Sequence, residues 1–253
     1  MHSGVFARRR FQLTLLSLWL VSNSLAADDR VAQARNRQMG WIEEIFANQE
    51  VVYPPKVLHL RAYKMEDRLE VYAATEKGSP LQLITTFPIL GRSGSPGPKR
   101  REGDRQVPEG CYFIDRFNPK SRFHLSLGLN YPNASDRVFA DPDQPGSDIF
   151  IHGNRVTIGC LPIGDQGIER LYLICLDYNQ NGGSRIPVHI FPATMDDQAW
   201  KERLMPILED KGDSGELERF WQSLTPIWTA FESSKQLPSW SLDEAGYYQL
   251  KAE

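Results

Sequence analysis

The middle of the chain alternates apolar and polar residues at the two-residue spacing of β-strands. Segments 58–62 and 68–73 both alternate in this way, and the residues between them, 64–67, predict the turn of a β-hairpin. Segment 91–105 is rich in Gly, Pro and charge, so it predicts a long loop. Short apolar runs predict further strands at 83–90, 110–115, 123–127, 149–152 and 186–191.

Helical spacing precedes this β-rich region. Apolar residues between positions 31 and 46 fall near one face of a helix. Asp28 and Asp29 are suited to cap this helix, and the Pro-Pro pair at 54–55 ends it. We therefore expect an N-terminal helical segment at 27–54.

Helical spacing returns in the second half of the chain. Asp165 is placed to cap one helix, and two apolar stripes at 200–208 and 217–231 predict two more, with a kink at Pro226. These stripes predict a helical extension at 193–253. The whole pattern predicts an α+β fold that is mostly β at its centre.

The first 26 residues have the layout of a secretory signal peptide. Three arginines at 8–10 precede an apolar core at 13–21, and Ser24-Leu25-Ala26 offers small residues for cleavage. The core is shorter than the ~20 residues that a membrane-spanning helix needs. We therefore expect an exported protein that keeps no transmembrane segment once 1–26 are removed.

Composition and charge narrow the class of protein. The 253 residues are 24% charged and 41% hydrophobic, as in ordinary globular proteins. Removing the leader takes away three arginines and no acid, so the net charge changes from −3 to −6. Because phosphate binding needs a dense basic patch, this acidic balance argues against a nucleic-acid partner.

Three cysteines are present: Cys111, Cys160 and Cys175. Export permits disulfides, and a Cys111–Cys175 pair is one option, but sequence does not set the geometry that a disulfide needs. Cys111 opens a predicted strand and Cys175 lies on the apolar face of a predicted helix, so both are expected in the core. An odd number leaves at least one free thiol in a monomer.

Segment 149–160 concentrates groups suited to covalent catalysis. An apolar strand ends at His152, a short polar loop follows, and Gly159 directly precedes Cys160. A nucleophilic cysteine needs a base, room for a carbonyl, and donors for an oxyanion. His152 can serve as the base, Gly159 leaves room, and the backbone N–H groups around Cys160 can be the donors. The hydroxyl of Thr157 can orient the imidazole or the substrate.

Two other interpretations of this segment stay open on spacing alone. One is a structural histidine at a strand end with a buried cysteine in a tight turn, since cysteine often packs as a small hydrophobe. The other is a metal site, but His152 and Cys160 fall short of the three or four ligands that zinc takes. No CxxC or HExxH motif accompanies them, so we predict neither a metal nor a cofactor.

The order His-Gly followed by Thr-x-Gly-Cys resembles the catalytic motif of the YkuD-type L,D-transpeptidase domain, and most of all its YafK-like branch. The likeness runs from about 57 to 192 in the expected order, which assigns a catalytic domain to 55–192. Five other stretches resemble that branch: GPK at 97–99, EGD at 102–104, VPEG at 107–110, LNYPN at 129–133 and VHIFP at 188–192.

The resemblance implies a mostly β domain and gives the motif residues their roles. Cys160 matches the nucleophile, His152 the general base, Gly159 the glycine before the nucleophile, and Thr157 the Ser/Thr of the motif. Such enzymes attack the diaminopimelate carbonyl of a peptidoglycan stem peptide and pass the acyl group from a thioester to an amine. Some YafK-like members instead resemble hydrolases that cut the link between diaminopimelate and an envelope lipoprotein. The implied location is the periplasm, and the implied partners are stem peptides and, as an alternative, a peptidoglycan-anchored lipoprotein.

Two departures from the family motif bear on the reaction. Ile158 stands where members have a second His, and Pro162 stands where they have a polar residue. Because isoleucine donates no hydrogen bond, any role of that His in binding the acyl donor is absent, which favours hydrolysis over transpeptidation. A hypothesis from another class is a non-catalytic envelope binding module in which Cys160 is structural.

Three basic residues are candidates for binding the substrate. Arg155 lies in the catalytic loop and Lys99 in the long loop, where each could clamp a carboxylate of the stem peptide. His124 precedes a polar loop and is an outside candidate. A solvated loop for Lys99 and a structural role for His124 are the open alternatives.

Overall fold

The computed structural model describes residues 11–212 and 215–251, with side chains described from Arg30 onward. An eight-stranded sheet lies at its centre, in the order β3-β2-β1-β8-β4-β5-β6-β7. The pairs β1–β8 and β6–β7 are parallel, and the other neighbours are antiparallel. The strands are β1 Val57–Tyr63, β2 Arg68–Ala74, β3 Gln82–Pro88, β4 Gly110–Asn118, β5 Ser126–Leu129, β6 Phe150–His152, β7 Leu161–Pro162 and β8 Pro187–Phe191.

Helices lie on both faces of this sheet. Helices α1 and α3 share one apolar core with the sheet, and α6 with the C-terminal residues forms a second core on the opposite face. The fold is therefore α+β, as the sequence predicts. The helices are α1 Phe11–Asn48, α2 Ala134–Phe139, α3 Gly164–Gln180, α4 Asp197–Ala199, a π-helical turn Trp200–Leu204, α5 Met205–Lys211 and α6 Glu216–Ser234.

Both faces of the central strand β1 are buried. Its apolar residues Leu58 and Leu60 belong to the core under α1 and α3. His59 and Arg61 point the other way and are 0% exposed beneath Phe231 of α6. The alternation in the sequence correctly predicts a strand, but its polar face is covered by a helix that lies about 170 residues further along the chain.

Arg61 is a buried cation that ties α6 to the sheet. Its guanidinium forms an ion pair with Glu232. It also lies 4.3 Å from the ring centroid of Phe231, 5.4 Å from that of Phe191 and 5.5 Å from that of Tyr63. Aromatic faces and one carboxylate surround the cation, while its Nε and NH2 are buried and form no hydrogen bond with the described residues.

We expect Glu232→Ala to lower the free energy of unfolding by about 2–3 kcal/mol, because it leaves Arg61 buried without its counter-ion. The cost falls below that of a fully buried pair because the Glu232 side chain is 31% exposed. Urea denaturation measures the change, and Thr229→Ala on the exposed side of α6 is the matched control. Arg61→Met added to Glu232→Ala should restore part of the loss, and a variant as stable as wild type would contradict this account.

Two predicted elements differ in extent from the structure. The strand predicted at 123–127 starts only at Ser126, because His124 has φ +74°, which a strand does not allow. Helix α1 runs unbroken past Asp28 and Asp29, so neither residue begins it. The arginines at 8–10 lie outside the described residues, and cleavage of the leader stays a prediction. Within the described ranges, no helix has the length and apolarity to cross a membrane.

The C-terminal extension contains more than helices. After α6 the chain forms a two-stranded antiparallel hairpin, β9 Trp240–Leu242 and β10 Tyr248–Leu250, which the helical pattern did not predict. The hydroxyl of Tyr248 accepts a hydrogen bond from the backbone N–H of Cys111 at 3.1 Å. The hairpin therefore closes the second core against β4.

All three cysteines are free thiols. Cys111 belongs to the core beneath α6, whereas Cys175 belongs to the core beneath α1 on the other face of the sheet. The option of a disulfide between them is therefore wrong, because the sheet separates the two thiols. Both are buried, as expected, and Cys160 alone is partly exposed.

Candidate active site

Two neighbouring strands bring His152 and Cys160 to the same region of the sheet. His152 ends β6, and Cys160 directly precedes β7, which runs parallel to β6. The register pairs His152 with Pro162, so Cys160 lies two residues earlier on the neighbouring strand. Cys160 thus lies at the start of β7, beside the strand that ends at His152.

The imidazole of His152 is held in one tautomer. Its Nδ1 lies 2.5 Å from the backbone oxygen of Gly153, and a carbonyl oxygen only accepts. Nδ1 therefore carries the proton, and Nε2 is the basic nitrogen. Burial lowers the pKa of His152, while the bond to Gly153 acts in the opposite direction. The ring is thus neutral at pH 7 and able to accept a proton.

The sulfur of Cys160 lies against backbone. Its hydrogen bond goes to the carbonyl oxygen of Asp148 at 3.9 Å, and among the described residues none joins it to His152. Burial raises the pKa of the Cys160 thiol, although the N–H of Phe150 and the charge of Lys99 act to lower it. The resting site therefore holds a neutral thiol and a neutral imidazole, so the thiol needs a base as it reacts.

Thr157 shapes the turn that carries Cys160. Its Oγ1 accepts hydrogen bonds from the backbone N–H of Cys160 at 2.8 Å and of Gly159 at 3.1 Å, and it donates to the carbonyl of Cys160 at 2.8 Å. The hydroxyl contacts this turn and forms no hydrogen bond to the imidazole. The sequence predicts that these two N–H groups donate to an oxyanion. In this structure both already donate hydrogen bonds to Thr157.

We expect Thr157→Val to slow acylation of Cys160 about 100-fold, because the turn loses three hydrogen bonds and small displacements of a nucleophile are costly. The rate is measured by mass spectrometry of the protein incubated with tetrapeptide muropeptides. Thr157→Ser keeps the hydroxyl and should stay close to wild type. Equal rates for wild type and Thr157→Val would show that the turn does not depend on these bonds.

Gly159 is required by the backbone. Its φ is +141°, and a Cβ at this position would approach the carbonyl oxygen of Gln106 to 3.1 Å. The loop before β4 therefore contacts the residue that precedes Cys160 closely. A larger residue at 159 would push Cys160 away from that loop.

Asp165 holds the start of the loop between His152 and Cys160. The sequence places it as a cap of α3, but Ile163 occupies that position without a side-chain hydrogen bond. Asp165 Oδ1 instead accepts the backbone N–H of Asn154 at 2.8 Å. Asn154 has φ +61°, a conformation that asparagine tolerates better than most residues. The expectation of a cap is therefore wrong, and the carboxylate supports the loop after His152.

The three basic candidates lie in different surroundings. Lys99 is 4% exposed, and its Nζ donates to Asp104 Oδ1 at 2.6 Å and to the carbonyl of Arg101 at 2.8 Å. Its ammonium therefore binds groups of its own loop. Because Lys99 is buried, the alternative of a solvated loop is wrong for this side chain. Arg155 is exposed in the loop between His152 and Cys160. No carboxylate among the described residues forms an ion pair with its guanidinium.

His124 is part of an ion-pair cluster. Its Nε2 lies 2.7 Å from Glu169 Oε1, and Glu169 also accepts hydrogen bonds from Arg37 and Gln38 of α1. These bonds favour its structural interpretation over contact with a substrate. Sequence reasoning missed the neighbouring Phe123, whose ring centroid lies 4.6 Å from that of His152. An aromatic residue in an apparent strand gives no signal of such a contact.

A cavity of about 330 Å³ lies beside strand β7. Leu161 contributes to its wall, with Met65, Ile89 and Val107, but Cys160 and His152 do not line it. We therefore assign it no part in the chemistry at the sulfur. In the part of the chain that the structure describes, no three His, Cys, Asp or Glu side chains are grouped to hold a metal ion.

Comparison with known proteins identifies the family. No family model matches the chain. It is 30% identical over 196 residues, 77% of this chain and 74% of the relative, to the protein named "Putative L,D-transpeptidase YafK" from Escherichia coli K12. The chain therefore belongs to the L,D-transpeptidase family. Within that family, the chain is similar to YafK proteins, as the motifs predict.

Two solved structures are also similar. One is the helical cell shape determining protein Pgp2 from Campylobacter jejuni, with 20% identity, a TM-score of 0.45, and coverage of 82% of this chain and 81% of Pgp2. The other is Bd1075 from Bdellovibrio bacteriovorus, with 19% identity, a TM-score of 0.40, and coverage of 71% of this chain and 64% of Bd1075.

Proposed function

We propose that this protein is a periplasmic cysteine enzyme that modifies peptidoglycan through a thioester between Cys160 and the diaminopimelate carbonyl of a stem peptide. The observation that carries the proposal is the arrangement of His152. Its Nδ1 is fixed by Gly153, its Nε2 is left basic, and its strand runs beside the one that follows Cys160. Family membership supplies the substrate class.

The first half of the reaction uses these two side chains. Sγ of Cys160 attacks the carbonyl carbon while Nε2 of His152 takes the thiol proton. The tetrahedral intermediate collapses, the amide C–N bond breaks, and the imidazolium returns the proton to the leaving amine. A thioester, a free amine and a neutral imidazole remain.

The second half repeats the sequence with an acceptor. His152 accepts a proton from an incoming amine or from water as the acceptor attacks the thioester carbonyl, and it then protonates the departing sulfur. An amine acceptor gives a transpeptide, and water gives a hydrolysed product. Cys160 and His152 serve both outcomes, so the acceptor alone decides between them.

One observation favours the hydrolytic outcome as the second candidate. Ile158 is 78% exposed two residues before Cys160, where a hydrogen-bonding His stands in typical members. An apolar side chain at that place offers no polar contact to hold an amine acceptor or the acyl donor. The bond cleaved would then be the amide that links diaminopimelate to a lysine of a lipoprotein.

Arg155 is the proposed clamp for a carboxylate of the stem peptide. It is exposed in the same loop as Cys160, and a guanidinium binds a carboxylate through two parallel hydrogen bonds. Lys99 contributes at longer range, because its positive charge lowers the pKa of the Cys160 thiol. Neither Lys99 nor His124 is proposed to touch the substrate.

The test incubates the mature protein, residues 27–253, with sacculi that carry bound lipoprotein and separately with tetrapeptide muropeptides. Mass spectrometry then identifies the products. Released lipoprotein that carries a free lysine amine and no diaminopimelate indicates a hydrolase, and links between two diaminopimelate residues indicate a transpeptidase. Absence of any product, with Cys160→Ala indistinguishable from wild type, would support a binding module and overturn the proposal.

A further inference from the structure

We propose that Phe123 is a positioning residue for His152 and that the N-terminal helix α1 holds Phe123 in place through Arg30. This inference rests on the proposed function, in which His152 is the base. It assigns to α1, which lies before the catalytic domain, a part in shaping the active site.

Phe123 contacts the base through both its ring and its backbone. The ring centroids of Phe123 and His152 lie 4.6 Å apart, with 31° between the ring planes. The carbonyl oxygen of Phe123 accepts the backbone N–H of Gly153 at 3.0 Å. Gly153 is the residue whose own carbonyl fixes Nδ1 of His152, so Phe123 supports the imidazole and the group that sets its tautomer.

The position of Phe123 is not explained by core packing. The side chain is 39% exposed, so it gains less from burial than a core phenylalanine would. What its ring covers instead is a face of an imidazole that is only 2% exposed. Phe123 therefore keeps water from one side of the base and limits rotation of its ring.

The segment that carries Phe123 lacks support from strand pairing. Strand β5 begins at Ser126, and His124 has φ +74°. Arg30 of α1 instead forms hydrogen bonds with three backbone carbonyls of this segment. Its NH1 donates to the carbonyls of Pro119 at 3.4 Å, Ser121 at 3.0 Å and His124 at 2.7 Å.

A second link from α1 reaches the same segment. Glu169 of α3 lies 2.7 Å from Nε2 of His124, and the amide of Gln38 on α1 donates to Glu169 at 2.8 Å. The residue next to Phe123 is thus held on its backbone by one α1 side chain and on its imidazole by a carboxylate that α1 also binds. Helix α1 therefore fixes the segment at two points.

The test compares Phe123→Ala, Phe123→Tyr and Arg30→Ala, with Arg35→Ala as the matched control. Arg35 lies on the same helix, but its ion pair is with Asp177. One readout is the NMR titration of the His152 Cε1–H resonance. The other is kcat and KM with tetrapeptide muropeptides.

We expect Phe123→Ala to remove the ring-current shift of the His152 resonance and to move its pKa up toward the ordinary ~6.5, because water then reaches the imidazole. We expect kcat to fall about 10-fold with KM nearly unchanged, since the base is displaced and substrate binding is not. Phe123→Tyr should restore both readouts. Arg30→Ala should move both in the same direction, and Arg35→Ala should move neither.

An unchanged His152 resonance in Phe123→Ala would overturn the inference, as would equal losses of kcat in Arg30→Ala and Arg35→Ala, which would indicate general destabilisation. The NMR arm also separates this inference from the proposed function. A wild-type protein without turnover whose His152 resonance still depends on Phe123 refutes the enzyme and retains the positioning. Turnover that is unaffected by Phe123→Ala refutes the positioning and retains the enzyme.

Discussion

Cys160→Ala should lower the rate of product formation from muropeptides by about 1,000-fold or more, because the acyl group loses the atom to which it is transferred. An alanine methyl group cannot form a thioester, and the structure offers no second thiol at this place. Cys111 and Cys175 are both buried in cores on opposite faces of the sheet. Turnover is measured by chromatography of the muropeptides.

Cys111→Ala is the control for this prediction, since it also removes a sulfur but lies 2% exposed beneath α6. Its turnover should match that of wild type once any loss of stability is corrected. If Cys160→Ala were as active as Cys111→Ala, covalent catalysis at position 160 would be refuted.

His152→Gln should lower kcat by about 100- to 10,000-fold at pH 7, the range that loss of a general base produces. Burial raises the pKa of the Cys160 thiol, so little thiolate forms without help at this pH. The wild-type imidazole has a lowered pKa and stays neutral, ready to accept the thiol proton. Glutamine fills a similar volume but cannot take that proton.

Wild type and His152→Gln should differ in how the reaction rate depends on pH. The active form of the wild type has neutral His152, so its rate falls as pH drops through a pKa below 6.5 and is flat above it. The rate of His152→Gln depends on the ionisation of Cys160 alone, so it should rise about tenfold per pH unit through neutrality. Parallel profiles for the two proteins would show that His152 does not act as the base.

The sequence predicts the fold well where patterns are local. The alternation at 58–62 and 68–73 correctly places the hairpin β1–β2, and the apolar run at 149–152 correctly places β6. The sequence does not predict that α6 covers His59 and Arg61, because this depends on a contact between β1 and Glu232. No local pattern records a partner at that distance along the chain.

The candidate site, like the fold, is predicted from the sequence only in part. The motif predicts that Cys160 and His152 act together, and the register of β6 and β7 brings them to neighbouring strands. The hydrogen bond from His152 to Gly153 and the ring contact of Phe123 with His152 depend on backbone conformation, including the positive φ of His124. Spacing in a sequence predicts which residues meet in space better than it predicts the hydrogen bonds that orient them.

The contacts of the C-terminal extension are also not predicted by the sequence. The apolar stripe at 217–231 predicts a helix with a buried face, and α6 has that face. The hairpin that follows is held by Tyr248, whose hydroxyl bonds to Asn133 and to Cys111. The residues around Tyr248 in the sequence do not predict these partners.

The central claim is tested most directly by the intact mass of wild-type protein rapidly mixed with a tetrapeptide stem. We predict a transient gain equal to the acyl part of the stem without its terminal alanine, located on the peptide that contains Cys160. The adduct should be sensitive to hydroxylamine, as thioesters are, and absent from Cys160→Ala. Products that accumulate without any such adduct, or an adduct that persists in Cys160→Ala, would contradict the account.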